Sequence, residues 1–205
     1  MNIICNNCGG ADFYNLSKQP FQNSFMWSVI FADDMIQLIR NYDRINFNNS
    51  ELVRLTKETA EKSNYYEYDE RKKICGLTID NAFTVYFTHY IFDPTCKTPT
   101  KIGPDVHYYR NFEYICSKYD ERIQRMIEKN EAPIFVIIAF KRHGWSKDKI
   151  HELLELNPNH KVILITNVVC SSVKPNFDII YDARLDKIHR DLPITYIKKY
   201  FGRIK

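Results

Sequence analysis

Nowhere in this 205-residue chain is there an uninterrupted apolar run of about 18 residues, so no segment reads as a membrane-spanning helix. Nor is there a block of five or so like charges. The net charge of +4 comes from interspersed Lys, Arg, Asp and Glu, which gives neither a basic tail nor a patch for nucleic acid. Glycine-rich phosphate loops are missing too: Gly9-Gly10 lacks the further glycines and the downstream Lys-Ser/Thr of a nucleotide fingerprint. Cys5 and Cys8 have CxxC spacing, but no second pair completes a closed zinc site, so neither metal nor cofactor is expected. The opening Met1 to Asn6 lacks the basic start and long apolar middle of a secretion signal. A cytoplasmic setting is therefore expected, with the six cysteines mostly reduced. No repeat or long flexible linker divides the chain, which reads as one domain over 1–205.

What is present is ample core material. Hydrophobic residues make up 44% of the chain and aromatics 14%, too apolar for a disordered protein. Apolar residues from Phe112 to Ile127 recur at helical spacing, predicting a long amphipathic helix over Tyr108 to Lys129. Ile134 to Phe140 is apolar without alternation, as in a strand covered on both faces. Ser146 is placed to cap a helix carrying Ile150, Leu153 and Leu154. Val162 to Thr166 and Phe177 to Tyr181 read as further strands, and Leu185 to Phe201 as a final helix interrupted near Pro193. In the N-terminal half, strands are expected at Ile3 to Cys5 and Ala82 to Thr88, with a helix over Ala32 to Asn41. Glu51 to Lys62 is compatible with helix, and Tyr65 to Tyr68 with a loop or edge strand. Helices alternating with fully apolar strands predict an α/β fold: a three-layer sandwich whose mostly parallel central sheet is flanked by helices.

In such sheets ligands bind beyond the carboxyl ends of the strands. Cys8 follows the first strand, at the start of a glycine-opened, helix-compatible stretch whose N–H groups favour thiolate. His89 closes the Ala82 to Thr88 strand, Lys141-Arg142-His143 follows the next, and Asn167 and Asp182 end the last two. Nucleophile, base and orienting group are the parts of thiol-based acyl transfer. The catalytic candidates are Cys8, His89 and Asn167, with Asp182 and Asp93 as other orienting groups. Backbone N–H groups at Gly9 and Gly10 are oxyanion-donor candidates. Asn7, Gly9, Arg142 and Trp145 are candidates for binding substrate, Arg as a planar fork and Trp as a stacking face. Each has a plainer structural reading: Cys8 as a buried thiol, His89 as a hydrogen-bonded residue at the core edge, and Arg142 to Trp145 as a surface turn before the Ser146 cap. Arg122 and Arg125 read as solvated or paired with Glu121 and Glu128, Cys5 as a small buried strand residue, and Asp186 and His189 as surface helix positions.

Asn6-Asn7-Cys8-Gly9-Gly10, Phe13-Tyr14, Ser24 to Phe31 leading into Asp34, His89-Tyr90 and Arg122-Ile123-Gln124-Arg125 together resemble an uncharacterised bacterial family associated with exopolysaccharide biosynthesis. The order of Cys, aromatic segment, His and Arg-rich helix is also similar, more loosely, to papain-like cysteine peptidases, with Ser24-Phe25-Met26-Trp27 in place of that family's Pro-Phe-Asp-Trp. The resemblance implies that Cys8 and His89 form the conserved pair. Three functions stay open. One is a cysteine hydrolase or acyltransferase acting on a small-molecule, glycan or peptide substrate. The second is a protein that binds glycans or nucleotide sugars without acylation, and the third a dithiol redox protein using Cys5 and Cys8.

Overall fold

A computed structural model describes residues 2–7, 14, 23, 25, 28–54, 75–79, 83–87, 100–102, 105–107, 112–170 and 174–185. Strands β1 (Asn2–Cys5), β8 (Pro133–Ile138), β9 (Lys161–Thr166) and β10 (Phe177–Tyr181) form a four-stranded sheet in the order β1-β8-β9-β10, parallel at every pairing. Consecutive residues of β8 and β9 are buried, so both faces of the sheet are covered, as their unbroken apolar runs require. Among the described residues, three helices pack with it: α1 (Ala32–Asn41), α2 (Phe112–Lys129) and α3 (Lys147–Glu155). The protein is an α/β protein built on a parallel sheet, as its sequence pattern predicts.

The core follows from helical spacing. Met35, Ile36 and Ile39 of α1, Tyr119, Ile123 and Met126 of α2, and Ile150, Leu153 and Leu154 of α3 converge on Ile4, Phe135, Ile137, Val162 and Leu164 of the sheet. Each fully buried aliphatic side chain contributes about 1.5–3 kcal/mol relative to exposure. Ser146 caps α3 as expected, its Oγ accepting from the Lys149 N–H at 3.2 Å. On the surface, Lys149 bridges Asp33 of α1 and Glu152 of α3, and Arg40 reaches Glu152 at 3.3 Å. These exposed pairs orient the two helices more than they stabilise them.

β1 is an edge strand in the sheet order, and buried side chains cover its free edge. The Ile3 N–H donates to the Tyr14 hydroxyl oxygen at 3.0 Å, and the Ile3 carbonyl accepts from Asn23 Nδ2 at 2.8 Å. Asn23 also donates to Asn2 Oδ1 at 2.8 Å and accepts from the Phe25 N–H at 3.0 Å. Burial pushes the Tyr14 hydroxyl up to about 12, so it stays neutral and continues to accept.

The N-terminal half departs from expectation. The strand predicted at Ala82 to Thr88 is β5 (Phe83–Phe87), and it belongs to a second, antiparallel sheet ordered β2-β5-β4-β3, with β2 at Ser28–Val29, β3 at Ser50–Arg54 and β4 at Cys75–Ile79. Its alternating Phe-Thr-Val-Tyr-Phe pattern is the period of an antiparallel strand and differs from the unbroken runs of β8 and β9. Glu51 to Arg54, helix-compatible by composition, are strand because they pair residue by residue with β4, from Glu51 opposite Thr78 to Arg54 opposite Cys75. A short hairpin joins β6 (Thr100–Ile102) to β7 (Asp105–His107). The expected helix from Tyr108 is described from Phe112, and the final helix beyond Leu185, together with Tyr65 to Tyr68, lies outside the described residues.

Candidate functional site at the carboxyl edge of the parallel sheet

Asn6 is the residue that builds this edge. Its backbone N–H continues the ladder to the Val136 carbonyl at 3.2 Å, while its side-chain amide stands in for the next peptide unit of β1. Asn6 Nδ2 donates to the Ile138 carbonyl at 3.0 Å, and Asn6 Oδ1 accepts the Ile138 N–H at 2.9 Å. The residue is fully buried. Asparagine suits the position because one amide supplies the donor and the acceptor that a peptide would. On its other side the Asn6 carbonyl accepts from the Ile30 N–H at 3.1 Å, tying the edge to the start of α1. Asn7 is also buried, and its Oδ1 accepts from the Cys5 thiol at 3.3 Å. Cys5 is a buried strand residue, as its plainer reading has it, and an accessible dithiol would require it to leave the core.

Beside β1, the end of β8 turns into a single 3-10 turn, Lys141–His143, closed by Gly144 at φ +80°. That left-handed conformation is open to glycine at no steric cost. It brings His143 inward. The ring packs edge-on against Phe31 and Phe140, with centroids 6.2 and 5.7 Å away, and only 8% of the residue is exposed. Among the described residues, no group hydrogen-bonds its Nδ1. Burial, reinforced by the neighbouring Arg142 charge, pushes the imidazole down to about 4, so it is neutral at physiological pH.

The other candidates divide. Arg142 is exposed, its guanidinium carbon 4.9 Å from the centre of the Phe140 ring, and can meet a ligand at the rim. Trp145 is 2% exposed and belongs to the hydrophobic core, so its indole presents no open stacking face. The apolar bulk that suggested stacking has been used for packing instead. Asn167 is half-buried beyond β9, two strands from β1, with β8 between them. Asp182, at the far edge of the sheet, is committed locally. Its Oδ1 accepts from the Arg184 N–H at 2.8 Å, and its two oxygens hold the Arg184 guanidinium at 3.2 and 3.1 Å. Arg125 pairs with Glu121 at 2.8 Å, as the helical spacing suggested, whereas Arg122 is buried. Cys8, Gly9, Gly10, His89, Asp93, Asp186 and His189 lie outside the described residues.

Two consequences follow for the predicted site. β5 runs in the antiparallel sheet, so the strand-end rule by itself does not put His89 and Cys8 on one edge, although β5 pairs with β2, which leads into the Ile30 that bonds Asn6. That rule concerns carboxyl ends of strands in one parallel sheet. Within the parallel sheet, the strand beside β1 is β8, and the histidine after it is His143. The strand order also runs in one direction among the described strands, with no reversal to open a crevice of the doubly wound kind.

The fold and this edge define the class, a parallel-sheet α/β protein with a buried polar seam at its carboxyl end. Beyond that class, no family model matches the chain and no curated protein matches it. Among the described residues, no helix is long and apolar enough to cross a membrane, and no three His, Cys, Asp or Glu side chains are grouped to hold a metal ion.

Proposed function

We propose that the protein is a cysteine-dependent hydrolase or acyltransferase in which Cys8 is the nucleophile and His143 its imidazole partner. The observation that carries this reading is the Asn6 clamp on Ile138, which holds the end of β1 against the end of β8. Cys8 follows Asn6 by two residues, a reach of about 7 Å at full extension. Ile30 bonds Asn6, and Phe31, the next residue, packs on His143, so a continuous set of contacts links the end of β1 to that ring. His89, the partner implied by the family resemblance, is the competing reading: β5 ends at Phe87, opposite Ser28, two residues before the Ile30 that bonds Asn6.

In the proposed reaction the Cys8 sulfur attacks an acyl carbonyl, and its proton passes to the neutral imidazole. The imidazolium then protonates the leaving group as the tetrahedral intermediate collapses to a thioester. Water, or an acceptor hydroxyl or amine, attacks the thioester and returns its proton through the same ring, regenerating the thiol. A thiolate beside His143 favours the imidazolium that burial otherwise disfavours, so the ring becomes the more basic and the thiol the more acidic when the pair is assembled. Arg142 at the rim suits an acidic or polar acyl substrate.

The test is iodoacetamide labelling across pH with peptide mapping by mass spectrometry. Cys8 is expected to react about tenfold or more faster at neutral pH than an ordinary exposed thiol, and His143→Gln to remove most of that advantage. A Cys8 rate equal to that of a free thiol overturns the nucleophile. An elevated rate unchanged in His143→Gln but lost in His89→Gln returns the partner role to His89.

A further inference from the structure

At the opposite, amino-terminal edge of the parallel sheet, the structure holds a cleft of about 450 Å³, within the range of roughly 300–1,000 Å³ of small-molecule sites. It lies where α1 and α2 end and where β8 and β9 begin, and it shares no residue with the carboxyl edge. One wall is apolar, made by Tyr42, Phe47 and Met126, with Ile127 36% exposed beside them. The Tyr42 ring is braced at 5.2 to 5.4 Å by His160, Phe47 and Phe135. Burial pushes its hydroxyl up to about 12, and Asn2 donates to it at 3.5 Å, so this phenol stays neutral.

Facing that wall is a fixed polar network. The Asp43 carboxylate accepts from Asn159 Nδ2 at 2.8 Å and bonds His160 Nε2 at 2.5 Å, and these two bonds hold its carboxyl below the usual range. Asp43 is thus an oriented, ionised acceptor with lone pairs to spare. Asn48 and Asn130 also line the cleft, and neither side-chain amide bonds a group among the described residues. Among the described residues no Lys or Arg lines it, while Asp43 does and so does Glu131, whose carboxyl is held below the usual range by its bond to the chain's N-terminal ammonium.

From this lining we infer that the cleft is a binding site for a neutral polyhydroxylated ring, of sugar or cyclitol type, independent of Cys8. A phosphate or carboxylate would meet the ionised Asp43, with no Lys or Arg among the described lining residues to offset it. A cation would find a single carboxylate whose charge is already shared with two donors, since Glu131 is bonded to the chain's N-terminal ammonium, and otherwise neutral amides. Hydroxyls suit what is left: amides that both donate and accept, one oriented carboxylate to accept, and an aromatic wall for the C–H face of a ring.

The experiment is saturation-transfer NMR with the full chain and methyl glucoside, methyl galactoside, N-acetylglucosamine and myo-inositol, against glucose 6-phosphate and choline. At least one neutral probe is expected to bind, about tenfold or more weakly in Ile127→Trp, which fills the cleft from an exposed position, and unchanged in Cys8→Ala. Asp43→Asn is expected to weaken the same probe while leaving the fold, read by circular dichroism, intact. Absence of binding by all four neutral probes overturns the inference, as does equal binding to Ile127→Trp. Choline or glucose 6-phosphate binding in place of the neutral probes overturns the ligand class. Because Cys8→Ala serves as the control, failure here leaves the thiol chemistry standing, and failure of the thiol chemistry leaves this cleft standing.

Discussion

The two ends of one parallel sheet handle polarity in opposite ways. At the carboxyl end the polar groups are buried: Asn6 is spent on the backbone of Ile138, and His143 is held neutral between two phenylalanine rings. At the amino end the polar groups face an open cleft, and Asp43, Asn48 and Asn130 keep bonding capacity in reserve. A buried polar group left unmatched costs the full desolvation of that group, whereas an exposed one exchanges its partner for water. The carboxyl end is therefore where substitutions damage the fold, and the amino end where they alter recognition with little structural effect.

The sharpest way to break this contrast is Asn6→Asp, which sets an ionised carboxylate against the Ile138 carbonyl in a fully buried position. A loss of about 3–5 kcal/mol is expected from the denaturant midpoint, in the range for an uncompensated buried charge. A value under 1 kcal/mol would mean that the amide does not hold the strands together.

Next in size is a pH effect at His143. Its folded value near 4 lies below the ordinary 6.5, so between those values the unfolded chain binds the extra proton and stability falls as pH falls. Wild type is expected to lose about 3 kcal/mol more than His143→Gln on going from pH 7 to pH 4, at about 1.4 kcal/mol per unit. Parallel stability curves for the two proteins would show that the ring is solvated.

Gly144→Ala comes third, at about 1–2 kcal/mol. A Cβ there meets Ala32 Cβ at an ordinary 3.7 Å, so the cost is the +80° backbone angle alone. At the other end of the sheet, Asp43→Asn is expected to cost under about 1 kcal/mol at pH 7, since the carboxylate is half exposed. Asp43 titrates lower when folded, so its contribution is present above the unfolded value and disappears as pH falls through the folded one. Thermal melts of the pair are expected to converge in acid.

Much of the fold was legible from pattern. The strand expected at Phe177 to Tyr181 is observed with those limits, Val162 to Thr166 gains one residue at its start, and the Ser146 cap, Tyr119, Ile123 and Met126 of α2 and the apolar face of α3 are where spacing put them. Burial on both faces leaves an unbroken apolar run and burial on one helical face leaves a 3.6-residue period, so both can be read in one dimension. The site was less legible. Arg142 and Asn167 lie beyond strand ends as foreseen, but Trp145 is in the core, and the strand before His89 is in another sheet. The inward turn of His143 had a trace in Gly144, whereas no local pattern joins Asp43 to His160 across 117 positions.

Sequence alone determined the α/β class, the strand and helix faces of the C-terminal half, and the presence of a cysteine three residues past the expected end of the first strand. Tertiary structure decided which strands became neighbours, and with them that β8 and its His143 stand beside β1, that the alternating strand before His89 joins a second sheet, and that a cleft opens at the amino edge. The reason is physical. Periodicity records whether a residue meets water or core, a property each position carries by itself, while adjacency depends on hydrogen-bonded pairing between segments that the chain brings together only on folding.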